Sequence, residues 1–368
     1  MRLRICWVAV GLVLCLRATA LSQVAQEPVP AAEAQALDEP KSDAAAKTVA
    51  EPEKAVLPAA EKPAESQTHK WEFGIAIRAV GGPCAGLLGT FPVPMDWPEQ
   101  QVKVANEQIS PAAQHRYRIT DGLKQMVFNV PQLAGGASAE CFVTFEITKQ
   151  AQKPPSDVSR LVVPKDPSPQ IKRFLAPGPL IEANNAKVRN LARELTADKE
   201  TAWEQVRAIL AGVREAVKYE RDPKAEFKGV IAALRDGKAD REDVTATFVA
   251  VCRAAKIPAR MVWAMDYCYA EFYLEETPAA NESTSGDDKS VKSKKSKDKA
   301  PKGDWYPAVV HEKVELGVCN DFHAIMQKGD NIKVPEEAAV QRYVKEFLKG
   351  KGGTGGKPSV EFRRRNAD

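Results

Sequence analysis

The chain contains stretches in which apolar and polar residues alternate and others in which apolar residues recur at helical spacing. Alternation with a period of two residues predicts β-strands that are buried on one face. Two clear series are Trp71, Phe73, Ile75 and Ile77, and Cys141, Val143, Phe145 and Ile147. Residues 116–120 and 125–130 flank Asp121-Gly122, which predicts a β-hairpin. These regularly spaced strands predict a small β-sandwich over residues 69–150.

Helical periodicity begins after a Pro-rich connector at residues 151–182. Apolar residues recur every three or four positions in three stretches, 188–195, 203–217 and 227–234. Gly237 is expected to end the third helix, and Asp240 to cap a fourth that runs to Ala255. Further strands are predicted at 260–265, 267–274 and 305–311. The predicted fold class is therefore α+β, with the small N-terminal β-sandwich followed by an α+β domain at 183–335.

The remaining segments differ in composition from these two domains. Residues 21–68 are rich in Ala, Glu and Pro, and an insertion at 275–303 is rich in Ser, Lys and Asp; both are expected to be disordered. Val340, Tyr343, Val344, Phe347 and Leu348 have helical spacing, which predicts a C-terminal helix at 336–350. The Gly- and Arg-rich residues 351–368 are predicted to form a basic disordered tail.

The N-terminus has the pattern of a signal peptide, predicted over residues 1–20. Arg2 and Arg4 precede an apolar run at 5–16 and the small residues Ala18-Thr-Ala20. The run is too short to span a bilayer, and no later stretch is long and apolar enough to do so. We therefore expect an exported protein that is periplasmic, in the cell envelope or secreted, without a transmembrane anchor after signal cleavage.

Composition and charge narrow the classes of function. Hydrophobic residues make up 44% of the chain and charged residues 28%, as in soluble globular proteins. The net charge of +4 is too small to indicate specific nucleic-acid binding. The 4 histidines form no cluster, and no Cys-x-x-Cys pattern occurs. We therefore expect neither a metal nor a cofactor.

The cysteines bear on the disulfide pattern of an exported chain. Cys6 and Cys15 lie in the predicted signal peptide, which leaves an odd number of cysteines: Cys84, Cys141, Cys252, Cys268 and Cys319. At least one thiol would then be free or would bridge to another chain. Cys84 and Cys141 could pair within the sandwich, although spacing does not fix the connectivity.

One pair of motifs resembles a known catalytic family. The segment Gly237-Lys-Ala-Asp-Arg-Glu-Asp243 is followed by Arg253-Ala-Ala-Lys-Ile-Pro-Ala-Arg260. These residues resemble the core of the transglutaminase-like superfamily, which has a papain-like fold. In that family a Gly-x-Gly-Asp-Cys-x-Asp turn opens a helix ending in Arg-Ala-x-Gly-Ile-Pro-Ala-Arg. The family's nucleophilic cysteine then corresponds to Arg241, and a guanidinium has no nucleophilic electron pair to offer.

The other two members of the family's triad also lack their counterparts. The family's His-x-Trp-x-Glu strand resembles 267–274, where Glu271 matches but Tyr267 and Tyr269 replace the histidine and the tryptophan. Its Trp-x-Pro-x-Asp segment resembles 305–309, where Trp305 matches but Val309 replaces the aspartate. A thiolate nucleophile needs a base, and the base needs an orienting group. The resemblance therefore implies a transglutaminase-like fold at 183–335 with a degenerate triad.

Relocated cysteine chemistry is the competing interpretation. Cys252 lies on the apolar stripe of the predicted fourth helix with Val244 and Phe248, which is typical of a core thiol. Cys268 lies between Tyr267 and Tyr269 and is expected on the opposite face of the strand. Cys319 has His323 nearby in a segment typical of a loop.

Three functions remain open. The first is a binding or scaffold module that has lost catalysis, with a protein, a peptide or a cell-envelope polymer as its partner. The second is an active cysteine peptidase or protein-amide transferase with a displaced triad, and the third is a polyanion-binding envelope protein. Arg241 itself is either a surface residue paired with a carboxylate or a group that recognises an anion. The residues predicted to border the cleft are Asp240, Arg241, Tyr267, Tyr269, Glu271 and Trp305.

Overall fold

The computed structural model describes residues 65–222, 226–277, 302–352 and 357–368. All of them belong to one compact unit, Glu61–Asp368. The predicted signal peptide, most of the predicted linker 21–68 and most of the predicted insertion 275–303 lie outside the described residues. Within the described ranges, no helix is long and apolar enough to cross a membrane.

The strands are β1 (Ser66–Val80), β2 (Cys84–Val93), β3 (Gln100–Ile109), β4 (Gln114–Thr120), β5 (Leu123–Leu133), β6 (Ser138–Gln150), β7 (Leu161–Val162), β8 (Lys218–Tyr219), β9 (Lys238–Ala239), β10 (Ala259–Ala264), β11 (Tyr267–Glu276), β12 (Gly303–Ala308), β13 (Ile325–Lys328), β14 (Phe347–Gly352) and β15 (Lys357–Asn366). The helices are α1 (Pro169–Lys172), α2 (Ala186–Thr196), α3 (Ala202–Ala216), α4 (Val230–Asp236) and α5 (Arg241–Ala254), with a short 3₁₀ helix at Arg173–Leu175. The mixture confirms the α+β fold class.

The N-terminal region is built from two sheets that share one apolar core. One sheet has the order β15-β1-β6-β3, and β5 and β2 belong to the other. The alternating residues of β1 and β6, such as Phe73, Ile75 and Phe145, meet Met126 and Phe128 of β5 in this core. The predicted hairpin is confirmed, because β4 pairs with β5 around Asp121-Gly122.

The second sheet continues from the sandwich into the α+β region. Its order is β12-β11-β10-β13-β5-β2-β14, with β4 paired to β5 and β7 paired to β11. The join between β13 and β5 is narrow, at Gln327 opposite Leu123. Helix α5 contacts α2, α3 and α4 as well as β10 and β11, so it is the centre of the α+β region.

Local sequence signals explain where α5 begins. Gly237 adopts a left-handed φ of 68° and ends α4, as the sequence predicts. The Asp240 carboxylate accepts a hydrogen bond from the Asp243 backbone N–H at 3.0 Å and caps α5. The Asp243 carboxylate is buried and is paired with Arg342 at 2.8 Å. The first turn of α5 is therefore held by its own N-cap, Asp240, and by Arg342 from a distant part of the chain.

The predicted C-terminal helix at 336–350 is wrong. Residues 347–352 form β14, which pairs with β2, and the preceding residues are irregular. The apolar residues of this segment pack against three separate clusters, because Tyr343 meets Trp263 in the α+β core, Val344 meets Leu123, and Leu348 meets the sandwich core. A helix would present these side chains on one face, so tertiary packing overrides their helical spacing.

The predicted disordered tail at 351–368 is also wrong for the residues that are described there. β15 pairs antiparallel with β1 from Trp71 opposite Asn366 to Val80 opposite Lys357. Phe362 packs edge-on against Phe91, and Arg365 pairs with Glu72 at 2.8 Å. The last strands therefore complete the sandwich, and the α+β region lies between β6 and β14 along the chain.

The predicted Cys84–Cys141 disulfide is not formed. Both cysteines are free and buried. Cys84 lies on β2 opposite Leu133 of β5, whereas Cys141 lies on β6 opposite Ile75 of β1. The two thiols thus belong to different sheets, and the Cys141 Sγ contacts the Met126 Sδ at 3.3 Å instead.

Candidate functional site

The three positions that correspond to the family's triad lie together in the fold. Arg241 is the first residue of α5, Tyr267 is the first residue of β11, and Val309 directly follows β12. The Arg241 guanidinium carbon lies 5.4 Å from the centroid of the Tyr267 ring. Val309 is buried in a small apolar cluster with Tyr269 and Cys319, and Tyr267 packs against this cluster. Tyr267 thus lies beside Arg241 and also packs against the cluster that contains Val309.

Arg241 contacts the turn that joins β10 to β11. Its Nη1 donates to the backbone carbonyl of Asp266, in the turn between β10 and β11. Its Nε atom is buried and has no hydrogen-bond partner among the described residues. The guanidinium therefore fills the space beside the helix N-terminus where a thiolate would be stabilised by the helix dipole.

Tyr267 connects Arg241 with two histidines that flank its ring. The Tyr267 hydroxyl donates to Glu312 Oε1 at 2.9 Å, and burial together with this carboxylate raises the pKa of the phenol. The His311 ring lies edge-on at a centroid distance of 4.9 Å, and the His323 ring is stacked at 6.1 Å. The tyrosine stays protonated at neutral pH and can donate or accept only through its hydroxyl.

His311 lies in the site although it is not among the residues predicted to border the cleft. Its Nε2 lies 3.2 Å from Glu312 Oε1, and its buried Nδ1 has no partner among the described residues. Burial lowers the pKa of His311 to about 4, although Glu312 opposes the shift. The imidazole is therefore neutral at physiological pH. A usable signal exists in the sequence, because His311 stands two positions after Val309 and would share its face if the strand continued.

A cleft of about 420 Å³ opens beside Arg241. Asp240 and Arg241 line it, together with Tyr219, Arg221, Asp222, Phe227, Glu242 and Asp266. Burial raises the pKa of Asp240 to about 6, even though its bond from the Asp243 N–H works in the opposite direction. Within the described residues, no group of three or more His, Cys, Asp or Glu side chains could hold a metal ion. The cleft can bind a ligand through aromatic faces and a mixture of acidic and basic groups.

The comparison with protein families decides what this region is. Residues 189–308 match the family model described as the transglutaminase-like superfamily. These residues form a transglutaminase-like domain. The match lies within the span 183–335 that the motifs indicate, so the predicted resemblance is confirmed.

Three solved structures resemble parts of the chain. A candidate cysteine protease from Cytophaga hutchinsonii gives a TM-score of 0.49 at 14% identity and covers 83% of this chain and 93% of its own. A candidate protease from Parabacteroides distasonis gives a TM-score of 0.25 at 13% identity, with 55% and 41% covered. The periplasmic domain of TgpA from Pseudomonas aeruginosa gives 0.26 at 16% identity, with 54% and 83% covered. No curated protein sequence matches the chain at a significant level.

Three residues predicted to border the cleft of the transglutaminase-like domain do not line it. Tyr269 is fully buried, with its hydroxyl 3.4 Å from Glu99. Glu271 is also buried and pairs with Arg260 at 2.6 Å and with Lys328 at 2.6 Å. Trp305 carries the Arg260 guanidinium on its face at 3.9 Å. The prediction that these residues border the cleft is therefore wrong, because Tyr269 and Glu271 are buried and Trp305 is half-buried beneath Arg260.

The cysteines that could replace the missing nucleophile are all buried. Burial raises the pKa of the Cys252 and Cys268 thiols, and it raises the pKa of Cys319 to about 11. None of these three thiols hydrogen-bonds His311 or His323 in the described part of the chain. His323 instead pairs with Asp321 through its Nδ1. Among the described residues, none of these three thiols therefore has an adjacent base.

Proposed function

We propose that this protein is an exported binding or scaffold module whose transglutaminase-like domain has lost cysteine-nucleophile catalysis. The observation that carries the proposal is the contact of Arg241 with Tyr267, at the two positions where the family has its nucleophile and its base. A guanidinium cannot be deprotonated in a protein, and a phenol with a raised pKa is a poor base near neutral pH.

The orienting group is missing as well. Val309 lies in an apolar cluster where an aspartate would be buried without a partner, so a return to the family's chemistry would need several changes together. The buried thiols with raised pKa values disfavour the alternative of a displaced triad. His311 is neutral and close to Arg241, but it has no thiol to activate within the described residues.

The cleft beside Arg241 favours a basic ligand. The acidic side chains Asp240, Glu242 and Asp266 in its lining outnumber the basic ones, Arg221 and Arg241. Tyr219 and Phe227 add aromatic surface. This balance disfavours the hypothesis that Arg241 recognises an anion, and it supports a protein or peptide partner with Lys or Arg side chains.

Export is supported by the N-terminal sequence alone, where Arg2 and Arg4 precede an apolar run and Ala18-Thr-Ala20. A fusion of residues 1–30 to a periplasmic reporter tests it, because the reporter should be exported and the leader removed. Substitution of the two arginines by glutamate should slow the export.

Lost catalysis is tested with a thiol-directed probe and a peptide-amide substrate. Native protein should be labelled slowly and without protection by the peptide amide, whereas unfolded protein in urea should be labelled at every cysteine. Hydrolysis and amine transfer should stay at background, and Arg241→Ala should not change them. Rapid stoichiometric labelling of one cysteine that the peptide amide prevents would establish the displaced triad and refute the proposal.

Ligand binding by the cleft is tested with a lysine-rich peptide, with an acidic peptide of equal length as the control. The lysine-rich peptide should bind, and Glu242→Gln and Asp266→Asn should weaken the binding several-fold at low salt. Equal binding of both peptides, or binding that survives both substitutions, would contradict a role for this cleft.

The polyanion-binding alternative has less support. Within the tail that it invokes, Arg363 and Arg365 lie near Glu72, and Arg364 pairs with Glu346. These charges are therefore compensated within the fold. The lysine-rich residues 289–300 lie outside the described residues.

A further inference from the structure

A second cleft, of about 440 Å³, lies where the sandwich meets the α+β region. The sandwich contributes residues of β1 and the end of β15, and the α+β region contributes residues 320–323 between β12 and β13. The cleft shares no lining residue with the cleft beside Arg241. Its volume is in the range of small-molecule sites, which often form where two domains meet.

Two aromatic side chains line this second cleft, and neither is fully buried in a hydrophobic core. Trp71 is half-buried and packs against the sandwich core. Phe322 is also half-buried, yet it packs against none of the hydrophobic clusters found among the described residues. The Phe322 ring therefore has apolar surface that no hydrophobic cluster of the described residues uses. The two rings therefore offer flat apolar surface to a ligand.

Three carboxamides, Gln67, Asn320 and Asn366, stand beside these rings. The Gln67 Oε1 bonds His69 Nε2 at 3.3 Å, and the Asn366 Oδ1 accepts from the Asp368 N–H at 2.8 Å. The amide of Asn320 makes no side-chain hydrogen bond to any described residue. These three groups thus keep free N–H donors, and Asn320 keeps a free acceptor as well, which suits a ligand whose groups both donate and accept.

The charges in the lining are compensated within the protein. Asp321 is paired with Lys149 at 2.9 Å and also with His323. Lys149 is itself almost completely buried and donates to the His323 carbonyl at 3.0 Å. His69 lies 3.3 Å from Asp368. Because each ionisable side chain in the lining already has an ionisable partner within the protein, an ionic ligand would gain little here, whereas a neutral ligand would not disturb the pairs.

We propose that this cleft binds a neutral saccharide. A pyranose ring has apolar C–H faces that stack on aromatic rings, and hydroxyl groups around its rim that donate and accept hydrogen bonds at once. Trp71 and Phe322 match the faces, and Gln67, Asn320 and Asn366 match the rim. His323 completes the set, since its Nδ1 is held by Asp321 and its Nε2 has no partner among the described residues. The proposal concerns a separate site and does not depend on lost catalysis in the transglutaminase-like domain.

The test is calorimetric titration of the full chain with glucose, galactose, mannose, N-acetylglucosamine, cellobiose and diacetylchitobiose, into the high millimolar range. At least one of them should bind saturably. Phe322→Ala should weaken that binding about tenfold, and Asn320→Ala about fivefold. Both variants should fold, because Phe322 belongs to no core cluster of the described residues and the Asn320 side chain is exposed and unbonded.

Matched controls on the exposed faces of the sandwich separate a local effect from a general one. Asn106→Ala on β3 and Ile119→Ala on β4 remove a carboxamide and an apolar side chain that are both exposed, and they should leave the affinity unchanged. Glucosamine and glucuronate, which carry opposite charges, should bind no better than glucose. The proposal is overturned if none of the neutral sugars binds, if Phe322→Ala and Asn320→Ala bind as tightly as the wild type, or if a charged sugar binds more tightly.

Discussion

Arg253 and Asp330 form a buried ion pair in which one guanidinium nitrogen lies 2.8 Å from Oδ1 and 2.7 Å from Oδ2 of the carboxylate. Arg253 opens the segment that resembles the family's Arg-Ala-x-Gly-Ile-Pro-Ala-Arg, and its Nε donates to the carbonyl of Ala259 at 3.0 Å. The arginine therefore ties the end of α5 to the start of β10 and to the loop after β13. This structural role does not depend on whether the domain is an enzyme, so a structural requirement alone is a reason for Arg253 to be present at this position.

Removal of either partner of this pair should destabilise the protein strongly. Arg253→Ala leaves the Asp330 carboxylate buried without its partner, and we expect a loss of about 3–5 kcal/mol in the free energy of unfolding. Urea denaturation followed by circular dichroism measures it. Arg235→Ala, which removes an exposed pair with Asp236, should change stability by less than about 0.5 kcal/mol. Equal effects of the two substitutions would contradict the structural role of Arg253.

Glu271 should contribute stability through its two cationic partners. Burial works against its ionisation, but Arg260 and Lys328 hold the pKa of Glu271 below its usual value. Its contribution is therefore complete above the unfolded pKa of 4.5 and is lost as the pH falls through the folded value. Glu271→Gln should cost about 3 kcal/mol at pH 7, with the difference from wild type shrinking in acid. The exposed Glu276→Gln on the same strand should be nearly neutral at every pH.

His311 should make the fold less stable as the pH falls from about 6.5 to about 4. Burial lowers its folded pKa to about 4, so the unfolded chain binds a proton in this window and the folded protein does not. Asp240 acts with the opposite sign between about pH 6 and 3.8, because its folded pKa is raised and protonation favours the folded state. Comparison of wild type with His311→Phe isolates the histidine. A stability difference that stays constant from pH 7 to 4 would contradict the assignment.

The C-terminal strand should be required for the stability of the sandwich. Deletion of residues 357–368 uncovers the edge of β1 and should abolish cooperative unfolding of the native fold. Phe362→Ala, which removes the contact with Phe91, should cost about 2 kcal/mol, because the side chain is only partly buried. Ser359→Ala on the same strand is exposed and should have little effect. Thermal unfolding measures the stability of the three variants. If residues 357–368 were a disordered tail, all three changes would leave the stability unchanged.

The sequence predicts the structure correctly where the residues of one short segment are enough to determine its conformation. The alternation in β1 and β6, the cap at Asp240 and the left-handed Gly237 are all of this kind. Motif spacing then predicted the meeting of Arg241, Tyr267 and Val309, because helix and strand lengths in this family fix the register.

The errors concern residues whose environment comes from distant parts of the chain. Tyr343, Val344 and Leu348 have helical spacing, but each packs against a different cluster. The composition around Phe362 predicts a polar tail, and only the pairing of β15 with β1 gives this residue a packed environment. The sequence does not predict that Tyr269 and Glu271 are buried away from the cleft, because their burial depends on Glu99 and Lys328, which are distant in the sequence.

The pairing of β1 with β15 has a consequence for how the chain reaches its native state. Glu72 and Arg365 are 293 positions apart, yet their side chains touch across adjacent strands. A nascent polypeptide cannot close this sheet until residues 357–366, which form β15, have been synthesised. Folding of the sandwich should therefore be slow, and nascent chains that lack β15 should depend on chaperones to keep β1 from pairing with another strand.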